Sequence, residues 1–116
     1  MMNYRALAAL LAYPEPELIA ALPEIRLELP ELSELVKELG SEPLHALQER
    51  YVALFDRSRA LSLHLFEHVH GESRDRGQAM VDLAQTYASR GMRVADNELP
   101  DYLPAFLEFL SLLPPQ

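Results

Sequence analysis

The sequence predicts an all-α fold, a single-domain helical bundle of about six to seven short helices. Apolar residues recur three and four positions apart along most of the chain, which is the spacing of one helical face. No segment alternates apolar and polar residues with the period of two that a half-buried strand requires. Nine prolines, all outside residues 44–99, divide the flanking parts into short segments. With 116 residues and 49% hydrophobic content, the chain is long enough for one core and too short for two.

Prolines and capping residues divide the first half of the chain into four predicted helices. Asn3 caps the first helix, and Pro14 ends it because the residue before a proline is pushed out of helical geometry. Pro23 ends the second helix, Gly40 stops the third, and Ser41 opens the fourth. The predicted helices cover residues 4–12, 15–22, 31–39 and 43–55. Their buried stripes include Leu7, Leu11, Leu32, Leu35, Val36, Leu44, Leu47, Tyr51 and Leu54.

Serine and aspartate caps divide the second half into three further predicted helices. Ser58 is predicted to cap a fifth helix that runs to Gly71, Ser73 a sixth, and Asp101 the last. Gly77 lies inside the sixth helix, where glycine costs ~1 kcal/mol relative to alanine, which indicates that a second backbone passes close to it. The predicted apolar faces are Met80, Leu83, Ala84 and Tyr87 in the sixth helix and Leu103, Phe106, Leu107, Leu110 and Leu113 in the last.

The net charge of −8 is concentrated at the two ends of the chain. Residues 1–42 carry three basic and eight acidic side chains, residues 43–93 carry seven and six, and residues 94–116 carry none and four. Nucleic acids and anionic membranes are polyanions and are not expected partners, whereas a basic peptide would be attracted to the acidic ends. The absence of cysteine excludes disulfides and cysteine nucleophiles. No apolar run approaches the ~20 residues that cross a bilayer.

Residues 64–68 read His-Leu-Phe-Glu-His and match the inverted zinc-protease pattern H-x-x-E-H. On one helix, His64 and His68 would share a face and bind a zinc ion, with Glu67 as the general base. A zinc site also requires a third ligand, and His70 lies half a turn away from His68. Histidines on a mixed helix are therefore the favoured interpretation, and a small zinc hydrolase is kept as an alternative.

Arginine and acidic residues are concentrated between residues 55 and 76. They could form an anion site or a set of ion pairs. The segment has no glycine-rich phosphate loop, and the planar fork of arginine pairs bidentately with carboxylates, so a structural ion-pair network is favoured. The predicted network contains Asp56, Arg57, Arg74, Asp75 and Arg76, with Arg59, Glu67 and Glu72 nearby.

A long run at residues 66–77, FEHVHGESRDRG, stands beside several shorter motifs. These are Tyr51-Val52, Phe55-Asp56-Arg57, Leu61-Ser62-Leu63, Glu98-Leu99-Pro100-Asp101, Leu103-Pro104 and Glu108. Together they resemble the NarJ-type nitrate reductase assembly chaperones, part of the wider all-helical TorD, DmsD and NarJ family of redox-enzyme maturation chaperones. The resemblance is strong over residues 50–113, and it predicts a NarJ/TorD-like fold.

The resemblance implies a cytoplasmic, non-catalytic chaperone. Such chaperones bind the N-terminal, signal-like segment of the catalytic subunit of nitrate reductase. They hold the apoenzyme until its molybdenum cofactor, bis-molybdopterin guanine dinucleotide, and an iron–sulfur cluster are inserted, before the enzyme docks at the membrane. The resemblance implies no permanently bound cofactor, and the client's molybdenum cofactor is expected to be handled indirectly at most. A generic helical peptide-binding adaptor is the other function that the residues leave open.

The client peptide is predicted to bind in a groove between the fourth, fifth and last helices. The predicted binding residues are Tyr51, Phe55, Leu63, Phe66, Glu67, His70, Glu98, Asp101, Tyr102 and Glu108. The chain departs from the family in having Tyr102 where a histidine is usual and in being considerably shorter. We therefore expect a truncated or short form that lacks the family's C-terminal helices. The uncovered apolar face of its last helix predicts a possible homodimer.

Overall fold

A computed structural model of the chain describes residues 3–71, 73–95 and 97–114, apart from the side chain of Arg59. Seven α-helices follow one another in these residues: α1 (Tyr4–Leu11), α2 (Pro16–Glu28), α3 (Ser33–Gly40), α4 (Leu44–Tyr51), α5 (Leu65–Val69), α6 (Asp75–Ser89) and α7 (Leu103–Leu112). Short 3-10 turns lie at Pro30–Leu32 and Arg59–Leu61, and a π-helical turn lies at Val52–Asp56. The described residues form no β-strand, so the predicted all-α fold is confirmed.

The first three helices build one half of the core. Asn3 caps α1 as predicted, because its side-chain oxygen accepts a hydrogen bond from the backbone N–H of Ala6 at 2.9 Å. α1 packs chiefly against α7, and α2 packs against α3. The buried side chains that the three helices and the turn after α2 share are Ala6, Leu18, Leu22, Ile25, Leu29 and Val36.

Helix α2 continues through the proline that was expected to end it. Pro23 lies inside the helix with its ring exposed, so the predicted end at residue 22 is wrong. Leu22 and Ile25, on either side of this proline, both lie on the buried face. Burial of a Leu or Ile side chain contributes about 1.5–3 kcal/mol, so these residues can offset the hydrogen bond that proline removes from the helix.

The π-helical turn changes which residues after α4 are buried. Leu47 and Tyr51 are buried as predicted, but Leu54 is 49% exposed. A π-helical turn has more residues per turn than an α-helix, so the three- and four-residue spacing no longer returns to the same face. Leu35 of α3 was also expected in the core and is exposed.

The fifth predicted helix is largely absent. Residues 58–64 form a 3-10 turn and an extended segment, and α5 itself is a single short helix of five residues. Helix α6 has the expected length, but of its apolar face only Tyr87 is buried. Gly77 has no neighbour within 4 Å of where a Cβ would lie, so the predicted close approach of a second backbone is wrong.

None of the helices in the described part of the chain is long and apolar enough to cross a membrane.

Candidate functional site

Asp101 organises the residues that carry the sequence motifs. Its side chain is 0% exposed. One carboxylate oxygen accepts a hydrogen bond from the backbone N–H of Phe66 at 3.0 Å, and its backbone oxygen accepts one from Leu65 at 3.0 Å. Both donors lie in the first turn of α5, so Asp101 caps that helix from a distant part of the chain. The prediction that it caps α7 is wrong, because Tyr102 occupies that position and provides no side-chain cap.

The segment before α5 pairs with the segment before α7. His64 and Tyr102 form an isolated antiparallel bridge, and the N–H of Leu103 donates to the carbonyl oxygen of Leu63 at 2.7 Å. Nδ1 of His64 lies 3.3 Å from a carboxylate oxygen of Asp101. These contacts bring the motif at residues 61–63, the start of the run at residues 66–77 and the motif at residues 98–101 together.

Five ring side chains form a cluster above this pairing, which we call the aromatic cluster: Tyr13, Tyr51, Phe55, His64 and Tyr102. The ring of Tyr51 makes edge contacts with Tyr13 and Phe55 at centroid distances of 5.5 and 4.9 Å. The hydroxyls of Tyr51 and Tyr102 hydrogen-bond to each other. The ring of Tyr102 lies 5.5 Å from that of His64. The cluster therefore links the end of α1, the end of α4 and the start of α7.

The hydroxyls of Tyr51 and Tyr102 stay protonated far above neutral pH. Burial raises the pKa of Tyr51, and its hydrogen bond with the Tyr102 hydroxyl and the negative charges of Asp56 and Glu98 raise it further. Burial also raises the pKa of Tyr102, with Glu98 and Asp56 acting in the same direction. The pair is consequently neutral, polar and close to two carboxylates.

The predicted binding residues differ in exposure. Tyr51, Leu63 and Asp101 are buried. Phe55, Phe66, Glu67, His70, Glu98 and Tyr102 are half-buried, and Glu108 is exposed on α7. Tyr51, Leu63 and Asp101 therefore lie beneath the more exposed predicted residues, and Asp101 cannot present its carboxylate to a peptide.

Phe66 and its neighbours form the outer part of this region. The rings of Phe66 and His70 meet edge to face at 5.1 Å. Glu67 lies 3.9 Å from the guanidinium of Arg76, which ties α5 to the start of α6. Among the described residues, Glu108 on α7 forms no hydrogen bond, ion pair or ring contact with a member of the aromatic cluster.

Two residues of the aromatic cluster were missing from the predicted site. Tyr13 was noted only as the place where the first helix stops, and His64 only as a zinc ligand. One sequence feature could have indicated a role for Tyr13: it is an aromatic residue directly before a proline and outside the predicted buried faces. Nothing local indicates the role of His64, because its partners Asp101 and Tyr102 lie 37 and 38 positions further along the chain.

The predicted ion-pair network is mostly not formed. Arg76 pairs with Glu67 and donates to the carbonyl oxygen of Gly71 at 3.4 Å. Within residues 3–71, 73–95 and 97–114, the remaining four members, Asp56, Arg57, Arg74 and Asp75, are exposed and form no ion pair. Water solvates such groups well, so little free energy is gained by pairing them. Glu72 and the side chain of Arg59 lie outside the described residues.

The zinc interpretation of H-x-x-E-H is contradicted by the geometry. His64 precedes α5 in an extended conformation, so it does not share a helical face with His68. Nε2 of His68 donates to the carbonyl oxygen of Ser62 at 2.9 Å, and Glu67 pairs with Arg76. Across the described residues, no three His, Asp or Glu side chains are arranged to hold a metal ion.

Residues 20–116 match the family model described as nitrate reductase delta subunit. This chain belongs to the nitrate reductase delta subunit family. Two Escherichia coli K12 relatives, named as the nitrate reductase molybdenum cofactor assembly chaperones NarW and NarJ, are 46% and 45% identical to it. A NarJ protein of Bacillus subtilis strain 168 is 32% identical over 93% of the chain and 64% of the relative. The family membership that the motifs indicated is confirmed.

Coverage and fold add two further facts about this member of the delta subunit family. The E. coli matches cover 98% of the chain but 51% and 53% of the relatives, so the chain spans about half of their length. A crystal structure described as a redox enzyme maturation protein from Archaeoglobus fulgidus superimposes with a TM-score of 0.75 at 24% identity, covering 94% of this chain and 68% of that one. This likeness confirms the predicted fold.

Proposed function

We propose that the chain acts in the cytoplasm as a non-catalytic assembly chaperone for the catalytic subunit of nitrate reductase. The names of its relatives support this role. The observation that carries the proposal is the pairing around Asp101, which gathers the family motifs of residues 51–56, 61–70 and 98–102 into one surface. A surface assembled from distant motifs and bearing half-buried rings is suited to binding another chain.

The client segment bound by this surface is proposed to be the N-terminal, signal-like peptide of the catalytic subunit. Phe55, Phe66 and Tyr102 are half-buried rings that can cover an apolar helical face. Glu98 and Asp56 lie close enough to the tyrosine pair to affect its pKa, so basic side chains of the peptide would meet negative charge beside the rings. Asp101 is left out of this surface because it is enclosed.

Holding the peptide would keep the apoenzyme from docking before it is complete. The molybdenum cofactor and the iron–sulfur cluster are cargo of the client, and we propose that the chaperone handles them indirectly at most. No residue of the chain is assigned to either group.

Calorimetric titration with a peptide from the N-terminus of a nitrate reductase catalytic subunit tests this proposal. We expect saturable binding, and no binding of a scrambled peptide of equal charge. Affinity should fall as salt is raised, because exposed charge pairs are screened over ~10 Å at 0.1 M ionic strength. Equal binding of the scrambled peptide would indicate a generic helical adaptor, and absence of binding would contradict the proposal.

A second copy of the chain is a further proposed partner. On α7, Ala105 and Phe109 are buried, whereas the four predicted face residues Leu103, Phe106, Leu107 and Leu110 are half-buried and Leu112 is exposed. A face-to-face homodimer would cover this apolar surface.

A further inference from the structure

The imidazole ring of His64 is held through one nitrogen and leaves the other free of the protein. Nδ1 lies 3.3 Å from one carboxylate oxygen of Asp101, and the second oxygen of that carboxylate accepts the backbone N–H of Phe66. An ionised carboxylate can only accept hydrogen bonds, so its contact with His64 requires a proton on Nδ1. In the neutral ring Nε2 then carries no proton and is a hydrogen-bond acceptor.

Nε2 of His64 reaches the surface of the protein. It forms no hydrogen bond with the described residues, whereas none of their enclosed side-chain nitrogen and oxygen atoms lacks a hydrogen-bond partner. The side chain of His64 is 31% exposed, against 0% for Asp101. A ligand can therefore reach the acceptor on the ring but not the carboxylate behind it.

Three further contacts fix the direction of the His64 ring. Its backbone N–H donates to Oγ of Ser62 at 3.1 Å, and its backbone forms the antiparallel bridge with Tyr102. The rings of His64 and Tyr102 lie 5.5 Å apart with their planes inclined by 35°. A side chain that is already held loses little conformational entropy on binding, so a hydrogen bond at Nε2 keeps most of its free energy.

We propose that Nε2 of His64 accepts a hydrogen bond from an N–H donor of the client and so determines specificity at this position. The inference rests on the proposed function, because Tyr102 beside the ring belongs to the proposed client surface. The hydrogen bond from Nδ1 to the charged Asp101 polarises the ring and strengthens a bond at Nε2. A client oxygen in the same place would face the lone pair of Nε2 and remain unpaired, which is unfavourable in an interface. Asp101 acts through His64 as a positioning residue.

Long-range 1H–15N NMR spectra of the histidine rings test the orientation in the free protein. At about pH 8 an ordinary imidazole is neutral, and we expect the ring proton of His64 on Nδ1. His68 is the internal control: its Nε2 donates to the carbonyl oxygen of Ser62 at 2.9 Å, so it should show the opposite tautomer. A proton on Nε2 of His64, or on both of its ring nitrogens, would make the outward nitrogen a donor and overturn the proposal.

The same spectra recorded with the catalytic-subunit peptide test the contact itself. We expect the Nε2 resonance of His64 to move towards the value of a protonated nitrogen, because its lone pair accepts a hydrogen bond, and the His68 resonances to stay in place. In calorimetry, His64→Asn keeps a donor for Asp101 but has no outward Nε2, and should weaken binding by about threefold to tenfold. His68→Asn is the matched control and should weaken binding by less than about twofold.

The outcomes separate this contact from the proposed function. A peptide that binds without moving the Nε2 resonance, or that binds His64→Asn as tightly as the wild type, would overturn the contact and leave the client surface in place. If the wild type binds no peptide, the proposed function fails and the contact fails with it. The resonance measurement uses the unmodified chain, so it decides the contact even if His64→Asn does not fold.

Discussion

Asp101 links the start of α5 to the start of α7. A fully enclosed carboxylate must be held by hydrogen bonds, because burying an unpartnered charge is strongly unfavourable. The N–H of Phe66 and the ring of His64 occupy its two oxygens, and no side-chain nitrogen or oxygen among the buried described residues lacks a partner. The position of Phe66 on the proposed client surface therefore depends on Asp101.

Replacing Asp101 should destabilise the fold. Asp101→Ala removes a charged cap from α5, so we expect the free energy of unfolding to fall by about 2–3 kcal/mol in urea denaturation. Asp82→Ala is the matched control: this aspartate is exposed on α6, where it accepts a hydrogen bond from Gln78, and its loss should change stability by less than about 0.5 kcal/mol. Equal stability of wild type and Asp101→Ala would show that the cap does not hold α5.

Tyr87 makes the stability of the protein sensitive to alkaline pH. Its side chain is 1% exposed, and its hydroxyl donates to the carbonyl oxygen of Pro100 at 2.7 Å. Burial, with a contribution from the charge of Asp101, raises the pKa of Tyr87 to about 12, whereas an unfolded tyrosine has a pKa of about 10. The folded state therefore keeps a proton that the unfolded state releases. The contribution of Tyr87 to the free energy of unfolding is complete below about pH 10 and is lost as the pH rises to about 12.

Urea denaturation at a series of alkaline pH values measures this effect. We expect the free energy of unfolding to decrease from about pH 10 upward, and to decrease less steeply in Tyr87→Phe, which has no hydroxyl to ionise. Tyr51 and Tyr102, whose pKa values are also raised, account for the part of the decrease that remains. If the free energy of unfolding falls equally steeply with pH in wild type and Tyr87→Phe, burial does not raise the pKa of Tyr87.

Helix α2 contains a proline whose free-energy cost is offset by the burial of neighbouring apolar residues. Pro23 removes the hydrogen bond to the carbonyl oxygen of Ile19, and a proline in a helix interior costs about 3 kcal/mol. Pro23→Ala should therefore raise the free energy of unfolding by about 1–3 kcal/mol. Pro16→Ala is the control, because proline at the first helical position is favourable there and its replacement should change stability by less than about 1 kcal/mol. A destabilised Pro23→Ala would mean that α2 requires the proline ring.

Elements with local signals were predictable from the sequence, and elements defined by distant partners were not. Asn3 and Pro14 delimit α1 through their own chemistry, so that helix was predicted correctly. The start of α5 is set by Asp101, which is 35 positions after Phe66 in the chain. No local pattern near residue 65 contains that information, and Ser58 as a candidate cap suggested a helix that is far too long.

At the scale of the whole molecule, the candidate site also depends on contacts between distant parts of the chain. The structure brings Tyr51, Phe55, Phe66 and Tyr102, which belong to separate motifs, to one region. Sequence periodicity could not separate exposed from enclosed members, so Asp101 was expected on the surface. Exposure depends on which elements pack together, and here the antiparallel bridge at His64 decides it.

The apolar face of α7 predicts self-association of the whole molecule. We expect light scattering to give the mass of a dimer at micromolar concentration, because a second copy would cover the half-buried leucines of this face and the exposed Leu112. Leu107→Glu should yield a monomer, whereas Leu27→Glu, at an exposed position on α2, should leave the dimer intact. A monomer mass for the unmodified chain, without binding of a hydrophobic dye, would refute the proposed dimer.

The most direct test of the proposed client surface is a calorimetric titration of the catalytic-subunit peptide into Phe66→Ala. If Phe66 anchors the peptide, binding should weaken by about 1–3 kcal/mol while the fold is retained. Val69→Ala, on the same helix at a position 71% exposed, is the control and should bind as the wild type does. Unchanged affinity in a folded Phe66→Ala, or equal losses in both variants, would contradict the account.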